Sequence, residues 1–323
     1  MQPARSLLFI PGNRESWIET AHTHNADVVI FDLEDSVPPA ASEQARELVA
    51  DSLDTVTDRS QRVFVRINGH PNDPGPHTHE DIEAVMCDAL DAIVVPKART
   101  PDDIERLDAV LTHIERRDEL EPNGVALVLT IETALGMKHA YELCAATDRV
   151  QSLTCGAVSG TDTNHALGFE WTGPGRDGLE TLHLRQKVLL DARAAGIEDP
   201  FAGPYVDIDD IDGLRADMEY SRQMGYTGYV VIHPSHVEHA NELFLPDPDE
   251  IEYWLGVREA LLEAQQAGKR AIRYEGEMID AANLQTANRY LRRASAYQDD
   301  LDGVNLDDVD RDDVGRDDID RDE

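Results

Sequence analysis

The feature that most constrains the fold of this chain is a short apolar run, rich in β-branched residues, that recurs eight times. The runs are SLLFIPG (6–12), DVVIFDLE (27–34), RVFVRIN (62–68), AIVVPK (92–97), ALVLTIET (126–133), SLTCGAV (152–158), PYVDI (204–208) and YVVIHP (229–234). Nearly continuous apolar runs of this length are typical of parallel strands that are covered on both faces. Segments with helical spacing lie between them. Eight strand–helix repeats predict an α/β fold, the (β/α)8 or TIM barrel.

A doubly wound open sheet is the alternative architecture. It would require a glycine-rich turn of the form GxGxxG after the first strand, and the sequence there is FIPGNRES. We therefore expect a barrel over residues 1–240. Residues 241–298 are predicted to form a C-terminal helical extension. The aspartate-rich, low-complexity segment 299–323 is predicted to be a disordered acidic tail.

The charge of the chain restricts its partners. It has 65 acidic residues against 29 basic ones and a formal net charge of −36. Such an acidic surface excludes a sequence-independent grip on nucleic acid and attachment to an anionic membrane. No run approaches the roughly 18 apolar residues of a membrane span, and the N-terminal apolar stretch is too short for a signal peptide. A cytoplasmic protein is expected. Because high salt screens the self-repulsion of this surface, a halophilic source is also expected.

Charged side chains end several of the predicted strands: Asp32, Glu34 and Asp35 after the second, Arg66 after the third, Lys97 after the fourth, Glu132 after the fifth, Asp162 just past the sixth, Asp207 after the seventh and His233 after the eighth. These ends meet at one mouth of a barrel. Carboxylates brought together there repel unless a cation lies among them. Mg²⁺ takes oxygen ligands, commonly one or two carboxylates with water and substrate oxygens. Glu132 and Asp162 are the natural pair, although Asp162 could instead cap a helix.

Other residues at this mouth have more than one interpretation. Arg66 lies in an apolar strand and must meet a carboxylate, which belongs either to Asp32 or Glu34 or to a substrate. Lys97 either pairs with a carboxylate or contacts substrate. As a Schiff-base nucleophile it would make the protein a metal-free aldolase. His233 either bonds to the backbone or takes part in the site.

Seven segments of the sequence, in order from residue 5 to about residue 280, resemble the citrate lyase β-chain/malyl-CoA lyase family of the HpcH/HpaI aldolase superfamily. They are RSLLFIPGN, ADVVIFDLEDSV, VFVRIN, IVVPKA, IETALG, GYTGYVVIHPSH and YEGEMID. The resemblance implies Mg²⁺-dependent chemistry, with Mn²⁺ as a substitute, at a carbon–carbon bond next to an acyl-CoA thioester. The malyl-CoA/β-methylmalyl-CoA lyase branch looks most similar. Its reaction yields glyoxylate with acetyl-CoA or propionyl-CoA.

The resemblance also implies roles for single residues. Glu132 is implied to be a metal ligand. Asp162 becomes the second ligand if CGAVSGTDTNHALG carries three extra residues, whereas without them Ser159 would fall at that position. Thr161 then stands where the family has a glutamate. Arg66 is implied to hold the carboxylate of a 2-oxo acid.

Further implied roles concern water, CoA and a neighbouring subunit. Asp32, Glu34 and Asp35 are expected to bind the waters of the metal. Asp280 is expected to close over the site of a neighbouring subunit and to transfer a proton, which requires a homo-oligomer, a trimer or a hexamer. Contacts with CoA or substrate are expected at Arg5, Pro11, Gly12, Arg66, Lys97, Glu132, Thr161, Asp162, Ile232 and His233.

Several alternative functions remain open at this point. The chain could cleave citryl thioesters as a citrate lyase β-subunit, or it could cleave citramalyl-CoA. Thioester hydrolysis could follow condensation, as in a malate synthase. A catalytically lapsed barrel that only binds ligands is the non-enzyme alternative. Such a barrel would not be expected to retain Glu132, Asp162 and Arg66 together, and this chain has all three.

Overall fold

The structure is a computed structural model, and it describes residues 1–56, 61–69 and 78–298. The chain divides into two compact units, Met1–Phe244 and a second unit that begins at Leu245. The predicted acidic tail at 299–323 lies outside the described residues. Among the described residues, none of the helices combines the length and the hydrophobicity that crossing a membrane requires.

Parallel strands close the first unit into a barrel, and β8 pairs with β1 to complete it. The strands are β1 (Ser6–Pro11), β2 (Val28–Asp32), β3 (Arg62–Arg66), β4 (Ala92–Val95), β5 (Ala126–Thr130), β6 (Val150–Cys155), β7 (Phe201–Ala202) and β8 (Gly228–Val231). Each pairs with the next in sequence order. The predicted (β/α)8 barrel is therefore confirmed.

Helices follow the strands and cover the outside of the sheet. Those of the described part of this unit are α1 (Glu15–Thr20), α2 (Ser42–Val56), α3 (Thr78–Val85), α4 (Pro101–Arg117), α5 (Ala134–Lys138), α6 (Ala140–Cys144), α7 (Asp162–Leu167), α8 (Leu182–Ala194), α9 (Ile211–Met224) and α10 (Val237–Leu243). Local signals set their ends. Thr100 and Asp103 form a capping box at the start of α4. Gly225, at φ 114°, ends α9 in the left-handed region.

Two apolar clusters lie on the two faces of the sheet, one inside the barrel and one beneath the helices. The smaller one, drawn from the strands and from Ala4, fills the barrel and includes Leu7, Val28, Ile30, Phe64, Val94, Val128 and Val230. The larger one joins strand and helix residues. Side chains alternate across a strand. Asp32 therefore continues the inward series of Val28 and Ile30, and Arg66 continues that of Phe64.

The predicted seventh strand was misplaced. It was expected at residues 204–208, whereas β7 is Phe201–Ala202. Pro204 has no N–H to donate to a neighbouring strand. Gly203 has a φ of 92°, and a Cβ there would lie 2.5 Å from the backbone oxygen of Val230. The chain therefore leaves the sheet at Gly203. Asp207, expected at a strand end, lies in the connection that follows.

The second unit is a pair of helices with a hairpin between them. α11 (Pro248–Gln266) leads to β9 (Ala271–Tyr274) and β10 (Glu277–Asp280), which pair antiparallel, and α12 (Ala281–Ser295) follows. A helical extension was predicted for this part of the chain, and the hairpin within it was not. Glu275 and Gly276 join the strands with φ of 45° and 96°. Two positive φ values in a two-residue turn suit the right-handed twist of a hairpin.

Candidate active site

The C-terminal ends of β2 and β3 carry a buried ion pair. The Arg66 guanidinium donates from Nε to Oδ1 of Asp32 at 2.6 Å and from Nη2 to Oδ2 at 2.8 Å. Asp32 also accepts the backbone N–H groups of Glu34 and Ser36, each at 3.0 Å. Burial opposes ionisation, but the bonds from Arg66 prevail and lower the pKa of Asp32. Arg66 was expected to meet a carboxylate of either the protein or a substrate. Its Nε and Nη2 groups bind a protein carboxylate, that of Asp32.

The remaining nitrogen of Arg66 faces the loop after β2. Nη1 lies 3.2 Å from Oε2 of Glu34 and 3.6 Å from Oδ2 of Asp35. The ring of Phe9 covers one face of the guanidinium, with its centroid 4.7 Å away. Phe9 was missed by the sequence analysis. The alternation of Leu7, Phe9 and Pro11 along β1 could have identified it as facing inward.

Lys97, which follows β4, joins carboxylates from three different loops. Its backbone N–H donates to Oε1 of Glu132 at 2.8 Å. Its ammonium group donates to Glu34, lies 3.2 Å from Oδ1 of Asp35 and 3.8 Å from Oδ2 of Asp162. The expected convergence of these side chains is therefore present at the mouth of the barrel. These contacts agree with the interpretation that Lys97 pairs with carboxylates.

Thr161 and Asp162 take different positions at the start of α7. Thr161 is the N-cap, because its hydroxyl accepts the N–H of Asn164 at 3.4 Å and donates to the carbonyl of Val158 at 2.8 Å. Asp162 is the first helical residue, so its carboxylate is left to face Lys97. Ser159 is exposed in the preceding loop. Asp162 therefore lies at the mouth beside Lys97, while the Thr161 hydroxyl is committed to the cap. The choice of Asp162 over Ser159 as the second metal ligand stays a prediction.

Negative charge exceeds positive charge in this cluster. Among the described residues it holds the carboxylates of Asp32, Glu34, Asp35, Glu132 and Asp162 against the cations of Arg66 and Lys97. Burial raises the pKa of Glu132 to about 8, and the Glu34 and Asp162 carboxylates add to the rise. Burial also raises the pKa of Glu34. A cation placed here would therefore relieve both repulsion and desolvation.

The donor set fits a hard divalent ion. Oε2 of Glu34 is buried, and although it lies 3.2 Å from Nη1 of Arg66, it accepts no hydrogen bond from any residue that the structure describes. Carboxylate oxygens are the donors that Mg²⁺ prefers. Within residues 1–56, 61–69 and 78–298, no three His, Cys, Asp or Glu side chains form a ready metal cage. An ion held by Glu132 and Asp162 would take its other ligands from water or substrate.

Asp32 makes more hydrogen bonds within the protein than was predicted. Its Oδ1 and Oδ2 atoms serve Arg66 and the turn that contains Glu34 and Ser36. These contacts make Asp32 an anchor for Arg66, and its expected part in binding the waters of a metal stays a prediction. Glu34 and Asp35 lie beside Lys97, where that role stays a prediction.

Residues of β1 and β8 form the other side of the mouth. Gly12 donates its N–H to the carbonyl of Asp32 at 2.8 Å, and a Cβ at Gly12 would approach that oxygen to 2.7 Å. Pro11 ends β1, and Ile232, just past β8, is exposed. Nδ1 of His233 accepts the backbone N–H of Ser235 at 3.2 Å. The contacts of Pro11, Gly12, Ile232 and His233 with CoA or substrate stay predictions.

Arg5 lies outside this cluster, and Asp280 is part of the second unit. Arg5 precedes β1, at the end of the strand opposite to the mouth, and its guanidinium bonds to Asp27 at 2.7 and 2.9 Å. Its surroundings therefore do not support the expected contact with CoA. Asp280, in the second unit, caps α12, because its Oδ1 accepts the N–H of Ala282 at 2.9 Å. Its proton-transfer role stays a prediction.

The chain belongs to the HpcH/HpaI aldolase/citrate lyase family, which it matches over residues 5–234. This family membership identifies the chain as an enzyme of the carbon–carbon lyase class, as the sequence predicted. The barrel and the acidic mouth described above both lie in the matched region.

Three relatives span nearly the whole chain. An L-malyl-CoA/β-methylmalyl-CoA lyase of Cereibacter sphaeroides is 32% identical over 311 residues, which cover 91% of this chain and 95% of the relative. A (3S)-malyl-CoA thioesterase of the same species is 36% identical over 299 residues, with coverage of 91% and 95%. The citrate lyase subunit β of Leuconostoc mesenteroides is 31% identical over 292 residues, with coverage of 90% and 93%.

Solved structures show the same fold. Protein CitE from Mycobacterium tuberculosis, crystallised with magnesium, acetoacetate and coenzyme A, superposes with a TM-score of 0.66 at 27% identity. The match covers 91% of this chain and 98% of that one. A citrate lyase from Burkholderia xenovorans, at 24% identity, has a TM-score of 0.75 with 92% of each chain covered. The latter likeness concerns the fold alone.

Proposed function

We propose that this enzyme is a Mg²⁺-dependent acyl-CoA lyase that reversibly cleaves malyl-CoA or β-methylmalyl-CoA to glyoxylate and acetyl-CoA or propionyl-CoA. The observation that carries the proposal is the acidic mouth, where Glu132 and Asp162 approach Lys97. One nitrogen of Arg66 faces Glu34, whose carboxylate also contacts Lys97. The malyl-CoA/β-methylmalyl-CoA lyase relative supports the choice of substrate. The magnesium and coenzyme A in the CitE structure support the choice of cofactor and thioester.

The acidic residues would hold the ion and the basic one the substrate. Glu132 and Asp162 are the proposed metal ligands, with Glu34 and Asp35 in reach of its waters. When bound, Mg²⁺ lowers the pKa of a coordinated hydroxyl group and stabilises negative charge on its oxygen. Arg66 would bind the carboxylate on the hydroxyl-bearing carbon through Nη1, since Asp32 fixes its other two nitrogens.

Proton transfer needs a group besides these. As the carbon–carbon bond breaks, a base takes the proton of the hydroxyl group, and the C–O bond becomes the carbonyl of glyoxylate. The electron pair of the broken bond leaves as an acyl-CoA enolate, whose α-carbon must then gain a proton. Asp280 is the proposed donor, supplied by a neighbouring subunit, and in condensation it would remove the same proton. This role requires a homo-oligomer, for which a trimer or a hexamer is proposed.

The test is a magnesium-dependent screen of hydroxyacyl-CoA cleavage by mass spectrometry. Malyl-CoA or β-methylmalyl-CoA should give glyoxylate and the shorter acyl-CoA. E132Q should lower the rate by several orders of magnitude, since it removes a charged ligand without changing the size of the side chain. Activity that survives exhaustive EDTA treatment, or that is unchanged in E132Q, would refute the metal-dependent mechanism.

Two relatives point to other outcomes that the same screen separates. The citrate lyase subunit β favours testing citryl thioesters and citramalyl-CoA beside malyl-CoA. The (3S)-malyl-CoA thioesterase favours hydrolysis of the thioester, which releases free CoA that a thiol reagent detects. Borohydride trapping tests the Schiff-base alternative, and a covalent adduct at Lys97 would support it.

A further inference from the structure

Lys97 has an unusual backbone for a residue with a long side chain. Its φ is 52°, in the left-handed region, which a Cβ atom makes unfavourable. In this conformation its N–H donates to Glu132, while its side chain extends to the loop after β2. Strained residues of this kind persist where the surroundings hold them, and they concentrate at functional sites.

The ammonium group of Lys97 lies where carboxylates of different loops come together. It contacts Glu34 and Asp35 from the loop after β2, and it lies 3.8 Å from Asp162 on the first turn of α7. With the backbone bond to Glu132, one residue touches every carboxylate of the cluster except Asp32. The ammonium is thus a monovalent cation among the groups that the proposed function assigns to a divalent one.

We propose that Lys97 is a resident counter-ion, which holds the mouth carboxylates together before Mg²⁺ binds and competes with Mg²⁺ for them. The inference rests on the proposed function, because it concerns the same metal site. The physical reason is Coulombic. An ion bound to Asp162 would lie close to the ammonium, and two cations at such a separation repel strongly in a partly desolvated site. The ammonium must therefore move away from Asp162, towards Glu34 and Asp35, when the ion enters.

If Lys97 competes with Mg²⁺, its replacement should change the Mg²⁺ affinity in an unusual direction. Loss of an ordinary supporting residue weakens binding, whereas loss of a competing cation strengthens it. K97M removes the charge and keeps both the backbone N–H and the approximate length of the side chain. K97R keeps the charge. K138M removes a lysine that the structure places outside the cluster, and it serves as the matched control.

The experiment is calorimetric titration of each metal-free protein with Mg²⁺ at pH 8.5 and constant salt. K97M should bind Mg²⁺ about tenfold more tightly than the wild type, while K97R and K138M should stay within about threefold of it. Equal or weaker binding by folded K97M would overturn the inference. A wild-type protein that binds no Mg²⁺ would instead refute the proposed function, and the inference with it.

A second measurement uses the wild-type chain. It contains only four lysines, Lys97, Lys138, Lys187 and Lys269, so ¹³C-methylation of the amines gives few NMR signals, and K97R assigns the one from Lys97. Addition of Mg²⁺ should shift the signal of Lys97 and leave the other three in place. If Mg²⁺ binds while the Lys97 signal does not move, the ammonium does not yield to the ion and the inference is wrong.

Discussion

Replacing Asp32 with asparagine tests the most specific claim about the site, that this carboxylate anchors Arg66. The substitution keeps the shape of the side chain and removes its charge. Two bonds from Arg66, of 2.6 and 2.8 Å, lose their ionised acceptor, and the amide presents N–H groups where the guanidinium and the backbone also donate. Because Arg66 is then left charged and poorly partnered in a buried place, we expect D32N to lower the free energy of unfolding by about 3–5 kcal/mol.

D35N is the matched control. Asp35 lies 3.6 Å from Nη1 of Arg66 and is half exposed, so its removal should cost about 1 kcal/mol or less. Urea denaturation of both variants and the wild type at one salt concentration measures the differences. If D32N unfolds within about 1 kcal/mol of D35N, Arg66 is not anchored by Asp32 in solution.

Three further predictions concern a buried ion pair of the barrel and two backbone positions at its mouth. Burial raises the pKa of Glu115, but the bonds from Arg149 outweigh this and lower it below 4.5. The stabilisation is therefore present above pH 4.5 and is lost as the pH falls through the pKa that Glu115 has in the folded protein. E115Q should be least stable relative to the wild type at neutral pH, and a deficit that grows in acid would contradict this. K97G should be more stable than K97A by about 1 kcal/mol in thermal unfolding, because glycine accepts a positive φ; equal stability would contradict the strain at this position. G12A should lower both the melting temperature and activity, since its Cβ would meet the carbonyl of Asp32 at 2.7 Å, and a variant that matches the wild type in both would refute this packing argument.

The strands were predictable where burial dictated the composition of the sequence. Val28–Asp32 and Ala92–Val95 are covered on both faces, so almost every residue in them is apolar and the pattern is plain. The seventh strand is only two residues long, and the apolar PYVDI that follows it is more conspicuous than the strand itself. Local composition could not reveal that Gly203 and Pro204 take the chain out of the sheet.

The members of the site were predictable, and their pairings were not. A charged residue that ends an apolar strand points to the mouth, which identified Arg66, Lys97 and Glu132. The choice between Asp32 and a substrate as the partner of Arg66 depends on the register of two strands, and sequence does not encode that register locally. The backbone conformation of Lys97 likewise follows from tertiary contacts, because nothing in the residue itself favours a positive φ.

The contacts that fix the guanidinium of Arg66 affect how tightly a carboxylic acid can bind there. A free arginine side chain samples many rotamers, and immobilising such a side chain during association costs about 0.5–1.5 kcal/mol. Asp32 and the ring of Phe9 already restrict the guanidinium when the barrel folds. The entropy is therefore lost once, during folding, and a carboxylate that binds Arg66 as proposed would meet a donor whose orientation is already set.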